Sequence, residues 1–402
     1  MAYTLISFVG TGMYKEGYRQ TTYVFPGDTK IQTHIFFNAL LRAKYREVSK
    51  IVLVGTKTSG WDMLIDIADE LWIKTCEAKE RDGVSGELII EIEKYLSDKI
   101  HIPVIIKCHS DVIDNNTSLD IFNLYNSIVP EITDENILFD ITHGFRSMPI
   151  LLYQALQFSI SQNQKIKNVE IVYGEYIESE KESYVRNLSN YWKYSQISDA
   201  FNLFKEKLDG VKLAAFIEPE WKEGAKAIRR LSEIVQTNFS LQIVEVGRQI
   251  NNALKKYPEN APQWLDDIRV YLSQIHKTIS ADSVHMTLYN YAVFLYERKL
   301  NVQAIVALQI AVESFIAERA NKPEMVGNYE WWQTEGRGKL NEIKRRNHKE
   351  IKIPLTNLEA FRNQIAHGGG LSRNGGFPQA ANIPNIYNSG IRGIENLFKI
   401  YQ

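Results

Sequence analysis

The chain has 402 residues, enough for two domains at ~150 residues each, each with a sizeable core. Hydrophobic residues make up 44% and charged residues 24%, and 47 basic against 48 acidic side chains leave a formal net charge of -1. This excludes a disordered or fibrous chain, and it excludes a nucleic-acid partner held by whole-protein attraction, so any such partner needs a local basic patch.

Residues 3–9 (YTLISFV) form a short apolar run and predict a buried strand, ended by Gly10, Thr11 and Gly12. Pro26, Gly27 and Asp28 then predict a helix start, because Ile31, Ile35, Phe36, Ala39, Leu40 and Ala43 follow at helical spacing. Further strands are expected at residues 51–54, 104–106, 137–141 and 169–177, with 183–188 closing a terminal hairpin. A helix is expected from about Phe145, apolar almost all round. Strands separated by helices need crossover connections and point to a mainly parallel, doubly wound α/β sheet over residues 1–190. From 191 to 402 the periodicity is helical. Asn301 is expected to cap one helix there, and Leu355, Leu358, Phe361 and Ile365 form the apolar stripe of another. Breaks are expected at 208–217 and 260–262.

Two cysteines, Cys76 and Cys108, lie far apart without CxxC spacing, so neither a disulfide framework nor a cysteine zinc site is expected. No apolar run approaches the ~18 residues of a membrane span. The first residues, MAYT, lack the basic and apolar regions of a secretion signal. A cytoplasmic protein with no membrane partner and no metal site is the expectation.

In open α/β sheets ligands bind at the carboxyl ends of strands. Three such loops carry suitable chemistry: Gly10-Thr11-Gly12, the segment 55–60 with Thr56 and Ser59, and Asp140-Ile141-Thr142-His143-Gly144-Phe145-Arg146. Small residues, hydroxyls and a helix start with Arg146 in its first turn suit a phosphate. The same residues also serve as ordinary turns and caps, and His143 is either a ligand contact or a buried hydrogen-bonding group. A dinucleotide fingerprint fails because Lys15 stands where the third glycine is needed, and no P-loop is present.

Near the C-terminus, Arg362, Asn363 and His367 end a helix that Gly368, Gly369 and Gly370 stop. Asn363 and His367 are four apart and share a face. A histidine can take the proton of a ribose 2′-hydroxyl or protonate the leaving 5′-oxygen, and a guanidinium can stabilise the crowded phosphate between them. Such a set supports metal-independent RNA cleavage to a 2′,3′-cyclic phosphate and a 5′-hydroxyl. A plain helix C-cap is the alternative. Upstream, seven cations between Arg337 and Lys352 against Glu342 and Glu350 give a local charge of 7 − 2 = +5. That run is either a solvated helix face or a phosphate-binding surface. Trp331 and Trp332 either stack on bases or pack in the core.

Asp140-Ile141-Thr142-His143-Gly144-Phe145-Arg146 resembles the D-x-T-H-G-x-R signature of CRISPR-associated Rossmann-like (CARF) sensors. Arg362-Asn363-x-x-x-His367 is similar to the R-N-x-x-x-H motif of HEPN ribonucleases. Together they resemble the CARF–HEPN accessory ribonucleases of type III CRISPR systems. The resemblance implies a homodimer binding one cyclic oligoadenylate, cyclic tetra-adenylate first and cyclic hexa-adenylate second, and then degrading single-stranded RNA without a cofactor. It implies ligand contacts from Thr11, Gly12, Thr56, Ser59, Thr142, His143, Gly144 and Arg146, and catalysis by Arg362, Asn363 and His367. Two alternatives remain at this point: a ligand-sensing interaction protein without ribonuclease activity, and a sensor that also cleaves its own cyclic ligand.

Overall fold

The computed structural model describes residues 2–11, 20–112, 114, 116–132, 134–162, 165–366 and 382–401. It divides after Ser195 into two compact units.

The first unit holds an eight-stranded sheet: β1 (Ala2–Val9), β2 (Thr21–Val24), β3 (Lys30–Thr33), β4 (Glu47–Thr56), β5 (Val104–His109), β6 (Asn136–Asp140), β7 (Asn168–Ile177) and β8 (Glu182–Asn187). The order is β3-β2-β8-β7-β6-β1-β4-β5. β7, β6, β1, β4 and β5 run parallel, and β8 turns back antiparallel on β7. The helices are α1 (Phe36–Arg42), α2 (Glu70–Arg81), α3 (Gly86–Ile100), α4 (Ser118–Asn126) and α5 (Ser147–Gln162). Alternation along β1 shows why both sheet faces are covered. Leu5 and Val9 join Phe36, Leu40 and Ile92 of α1 and α3, while Ile6 and Phe8 join Tyr125, Leu152 and Leu156 of α4 and α5.

The expected helix start at Pro26 is instead a hairpin turn. β2 and β3 pair antiparallel, with Gly27 at φ 82° and Asp28 at φ 62° between them. Two successive left-handed residues suit a two-strand turn and not a helix entry. Ile31 is therefore in a strand, and the helix begins only at Phe36. The α5 helix begins at Ser147, so Arg146 precedes it instead of lying in its first turn. Nor is α5 covered all round: Ile150 and Phe158 are exposed, as is Phe145 just before it. Both cysteines are free thiols.

The second unit is helical. α6 (Ser189–Lys207) crosses the division; α7 (Val211–Ile217), α8 (Lys222–Thr237), α9 (Ile243–Lys255), α10 (Trp264–Ile279), α11 (Val284–Glu297) and α12 (Asn301–Arg319) follow. Then come α13 (Tyr329–Trp331), a π-helical turn (Trp332–Gly336), α14 (Arg337–Arg346), a second π turn (His348–Lys352), α15 (Ile353–Ala366) and α16 (Ile383–Tyr401). The break expected over 208–217 is only the step at Leu208, φ 56°, since α7 is a helix. Asn301 is the first helical residue and not the cap, and its buried Oδ1 has no hydrogen-bond partner. By length and composition α12 would suit a membrane span, contrary to the sequence expectation, but 61% of it is buried within the structure. Ile305, Leu308, Val312 and Phe315 of α12 are all buried in the helical core.

Candidate functional sites

A cavity of about 540 Å³ opens at the carboxyl ends of β1 and β6. These neighbours are the strands at which the sheet order reverses, the place where doubly wound sheets bind ligands. Val9, Gly10 and Thr11 line one side, and Thr142, His143, Gly144 and Phe145 the other.

Most polar groups of the 140–144 loop are engaged in holding it. Asp140 is fully buried and accepts from Ser7 Oγ at 2.5 Å and from the Thr142 amide at 2.8 Å. Thr142 Oγ1 accepts from the Gly174 amide of β7 at 2.8 Å. The Phe36 amide of α1 donates to His143 Nε2 at 3.2 Å, with the Tyr23 hydroxyl 3.4 Å from the same nitrogen. Since an amide can only donate, Nε2 is unprotonated and His143 carries its proton on Nδ1. Burial lowers the basicity of His143 against the pull of Asp140, and burial also pushes the Asp140 carboxyl upward. Gly144 sits at φ 90°, and a Cβ there would meet Phe8 Cβ at 3.1 Å. The loop thus ties β1, β6, β7 and α1 into one rim.

The other expected ligand residues divide. Thr11 and Ser59 line the cavity, but Ser59 is almost wholly buried. Its Oγ donates to the Val9 carbonyl at 2.6 Å and accepts from the Thr56 amide at 2.9 Å. Thr56 is fully buried, 3.3 Å from Ser59 Oγ, and does not line the cavity. Arg146 is exposed and also absent from the lining. Gly12 lies outside the described residues. Sequence reasoning missed Thr21 and Tyr23 of β2, Tyr173 and Tyr176 of β7, and Ser183 of β8, all of which line the cavity. Tyr23 is buried, and burial followed by the Asp140 charge raises its hydroxyl above the ordinary tyrosine range. The available signal for β2 was its run of β-branched and aromatic residues, Thr21-Thr22-Tyr23-Val24, ahead of Pro26-Gly27.

Residues 4–180 match the sequence model of the family described as CRISPR system endoribonuclease Csx1, CARF domain. The N-terminal unit is thus similar to the CARF domain of that family. A CRISPR-associated protein, MJ1674, of Methanocaldococcus jannaschii is 25% identical over 306 residues, which are 69% of this chain and 48% of the relative. The chain spans about half the length of that curated relative. The match covers the unit that holds the β1/β6 cavity and stops short of the helical unit.

In that helical unit, Arg362 and Asn363 lie on α15 and line a second cavity of about 260 Å³. Arg362 donates to Asn363 Oδ1 at 3.1 Å and stands 3.9 Å from Glu313 of α12. Burial raises the Glu313 carboxyl above its ordinary value, against lowering by Gln309 and Arg362. No local pattern marked Glu313, because it sits on a different helix among apolar neighbours. His367 lies outside the described residues. The basic run is not uniformly solvated: Lys344 is buried and bridges to Glu359 at 3.1 Å, and Arg337 reaches the same carboxylate at 3.4 Å. Trp331 and Trp332 are both buried in the core.

Proposed function

We propose that the chain is a cyclic-oligoadenylate-activated, metal-independent endoribonuclease of type III CRISPR defence, acting in the cytoplasm as a homodimer. The observation that carries this reading is the CARF cavity at the β1/β6 reversal, rimmed by the Asp140–Gly144 loop. A cavity of about 540 Å³ takes part of a ring of four nucleotides, so two copies about a two-fold axis would share one cyclic tetra-adenylate. Exposed Phe145, Ile150 and Phe158 support the pairing, because Phe145 also lines the cavity and links ligand to apolar face.

In the helical unit His367 acts as the general base or acid at the ribose 2′-oxygen and the leaving 5′-oxygen. Arg362 stabilises negative charge on the phosphate, and Asn363 holds the guanidinium by the bond its Oδ1 accepts. Two such helix ends across a dimer provide both acid and base. Ligand binding activates the site by favouring the assembly in which those ends face each other.

The test uses labelled single-stranded RNA with cyclic tetra-adenylate. Arg362→Ala and His367→Ala abolish cleavage and leave ligand binding intact. A His367→Ala protein that cleaves at the parental rate ends the proposal.

A further inference from the structure

The cavity beside Arg362 has a second half that the catalytic reading does not use. Tyr329 is 76% exposed at its edge, and Gln333 and Arg337 line it with Arg362 and Asn363. With Ile67 it is the most exposed large hydrophobic side chain among the described residues, and its ring face is open to a planar ligand. Tyr329 is also held in place. Gly327 turns the chain at φ 80°, where a Cβ would stand 2.5 Å from Leu241 Cδ1, and Asn328 Oδ1 caps α13 by accepting from the Trp331 amide at 2.9 Å.

The π turn at Trp332–Gly336 gives this arrangement a physical cause. Tyr329 and Arg337 are eight residues apart, and at 3.6 residues per turn they would diverge by about 80°. One extra residue absorbed by a π turn makes the spacing equivalent to about seven, close to two full turns, so both fall on one face. The buried Trp332 backs the cavity from below. Around it stand three cations (Arg337, Lys344, Arg362) and two carboxylates (Glu313, Glu359), a balance of 3 − 2 = +1. Arg337 shares Glu359 with Lys344, at 3.4 Å, and Arg362 stands 3.9 Å from Glu313.

We propose that this cavity is a binding subsite for one unstacked nucleotide of single-stranded RNA, with the base on Tyr329, its edge toward Gln333, and the flanking phosphate on Arg337. Stacking on an aromatic face accepts any base, and a guanidinium accepts any phosphate, so the subsite adds affinity without sequence preference. It rests on the ribonuclease reading only for the claim that this nucleotide belongs to the substrate.

The test is fluorescence anisotropy with a labelled 12-nucleotide RNA, in the full chain carrying His367→Ala so that the probe is not consumed. Tyr329→Ala weakens binding about 5- to 150-fold, the range for losing one stacked base. Tyr329→Phe binds like the parent, and RNA with abasic sites is insensitive to Tyr329→Ala. Arg337→Gln lowers the slope of log affinity against log salt by about one. Tyr329→Ala binding RNA as tightly as Tyr329→Phe overturns the subsite, whatever the cleavage result. If Tyr329-dependent binding is found and the otherwise unchanged chain cleaves no RNA with any cyclic oligoadenylate, the subsite stands and the ribonuclease reading falls.

Discussion

Ser59→Ala separates a residue that contacts ligand from one that staples the pocket. Ser59 Oγ joins two strand ends, donating to the Val9 carbonyl at 2.6 Å and accepting from the Thr56 amide at 2.9 Å. Replacement by alanine removes one oxygen and leaves almost no cavity. A buried amide without an acceptor costs about 1–3 kcal/mol, and the lost bond to Val9 about 0.5–1.5 kcal/mol. The expected destabilisation is therefore about 2–4 kcal/mol. At roughly 2–4 °C per kcal/mol for a unit of this size, the transition of the N-terminal unit comes on the order of 4–16 °C lower. Differential scanning calorimetry of the full chain, with and without cyclic tetra-adenylate, reads both quantities. The ligand-induced rise in melting temperature persists in the variant, because Thr142 and His143 remain in place. A variant that melts with the parent but loses that rise would instead make Ser59 a direct ligand contact.

Two further outcomes follow from the same cavity and its surroundings. Gly174→Ala places a Cβ 2.8 Å from Tyr23 Cε1 and 3.2 Å from Thr142 Cγ2, and Tyr23 is backed by Phe36 at 4.9 Å between ring centres, so the ring has nowhere to retreat. Overpacking of about 1–3 kcal/mol and weaker ligand binding are expected in melting and titration experiments; an unchanged melting temperature would mean the β2 wall yields freely. Acidification below about pH 6.5 destabilises the N-terminal unit, since burial lowers the folded-state basicity of both His109 and His143. The unfolded chain then binds more protons, so stability is complete above the unfolded histidine value and is lost as pH falls below it. His109 also accepts from the Tyr125 hydroxyl at 3.0 Å and holds the Ser110 carbonyl at 2.7 Å. His109→Gln flattens the fall in melting temperature between roughly pH 7 and pH 5.5; a parent whose melting point rises on acidification contradicts the assignment.

The parallel core was legible because its strands are apolar on both faces: residues 3–9 and 51–54 are continuous runs ended by glycine. The edge was not. Thr21–Val24 and Lys30–Thr33 are short, and Ile31, Ile35 and Phe36 happen to match a helical repeat. That one misreading hid the cavity wall carrying Thr21 and Tyr23. The 140–144 loop was legible as a strand-end loop, and it does line a cavity, but the bonds of Asp140, Thr142 and His143 to Ser7, Gly174 and Phe36 were not legible. Such pairings join residues more than 30 positions apart and leave no local trace. Glu313 facing Arg362 is hidden for the same reason.

The most direct test of a ligand-switched ribonuclease is cleavage of a fluorescent single-stranded RNA in EDTA, with cyclic oligoadenylates of three to six units supplied one at a time. Cleavage with the four-membered ring, or failing that the six-membered ring, is expected to give 2′,3′-cyclic phosphate and 5′-hydroxyl ends. Intact RNA with every ring, or cleavage that requires a divalent metal, would contradict it.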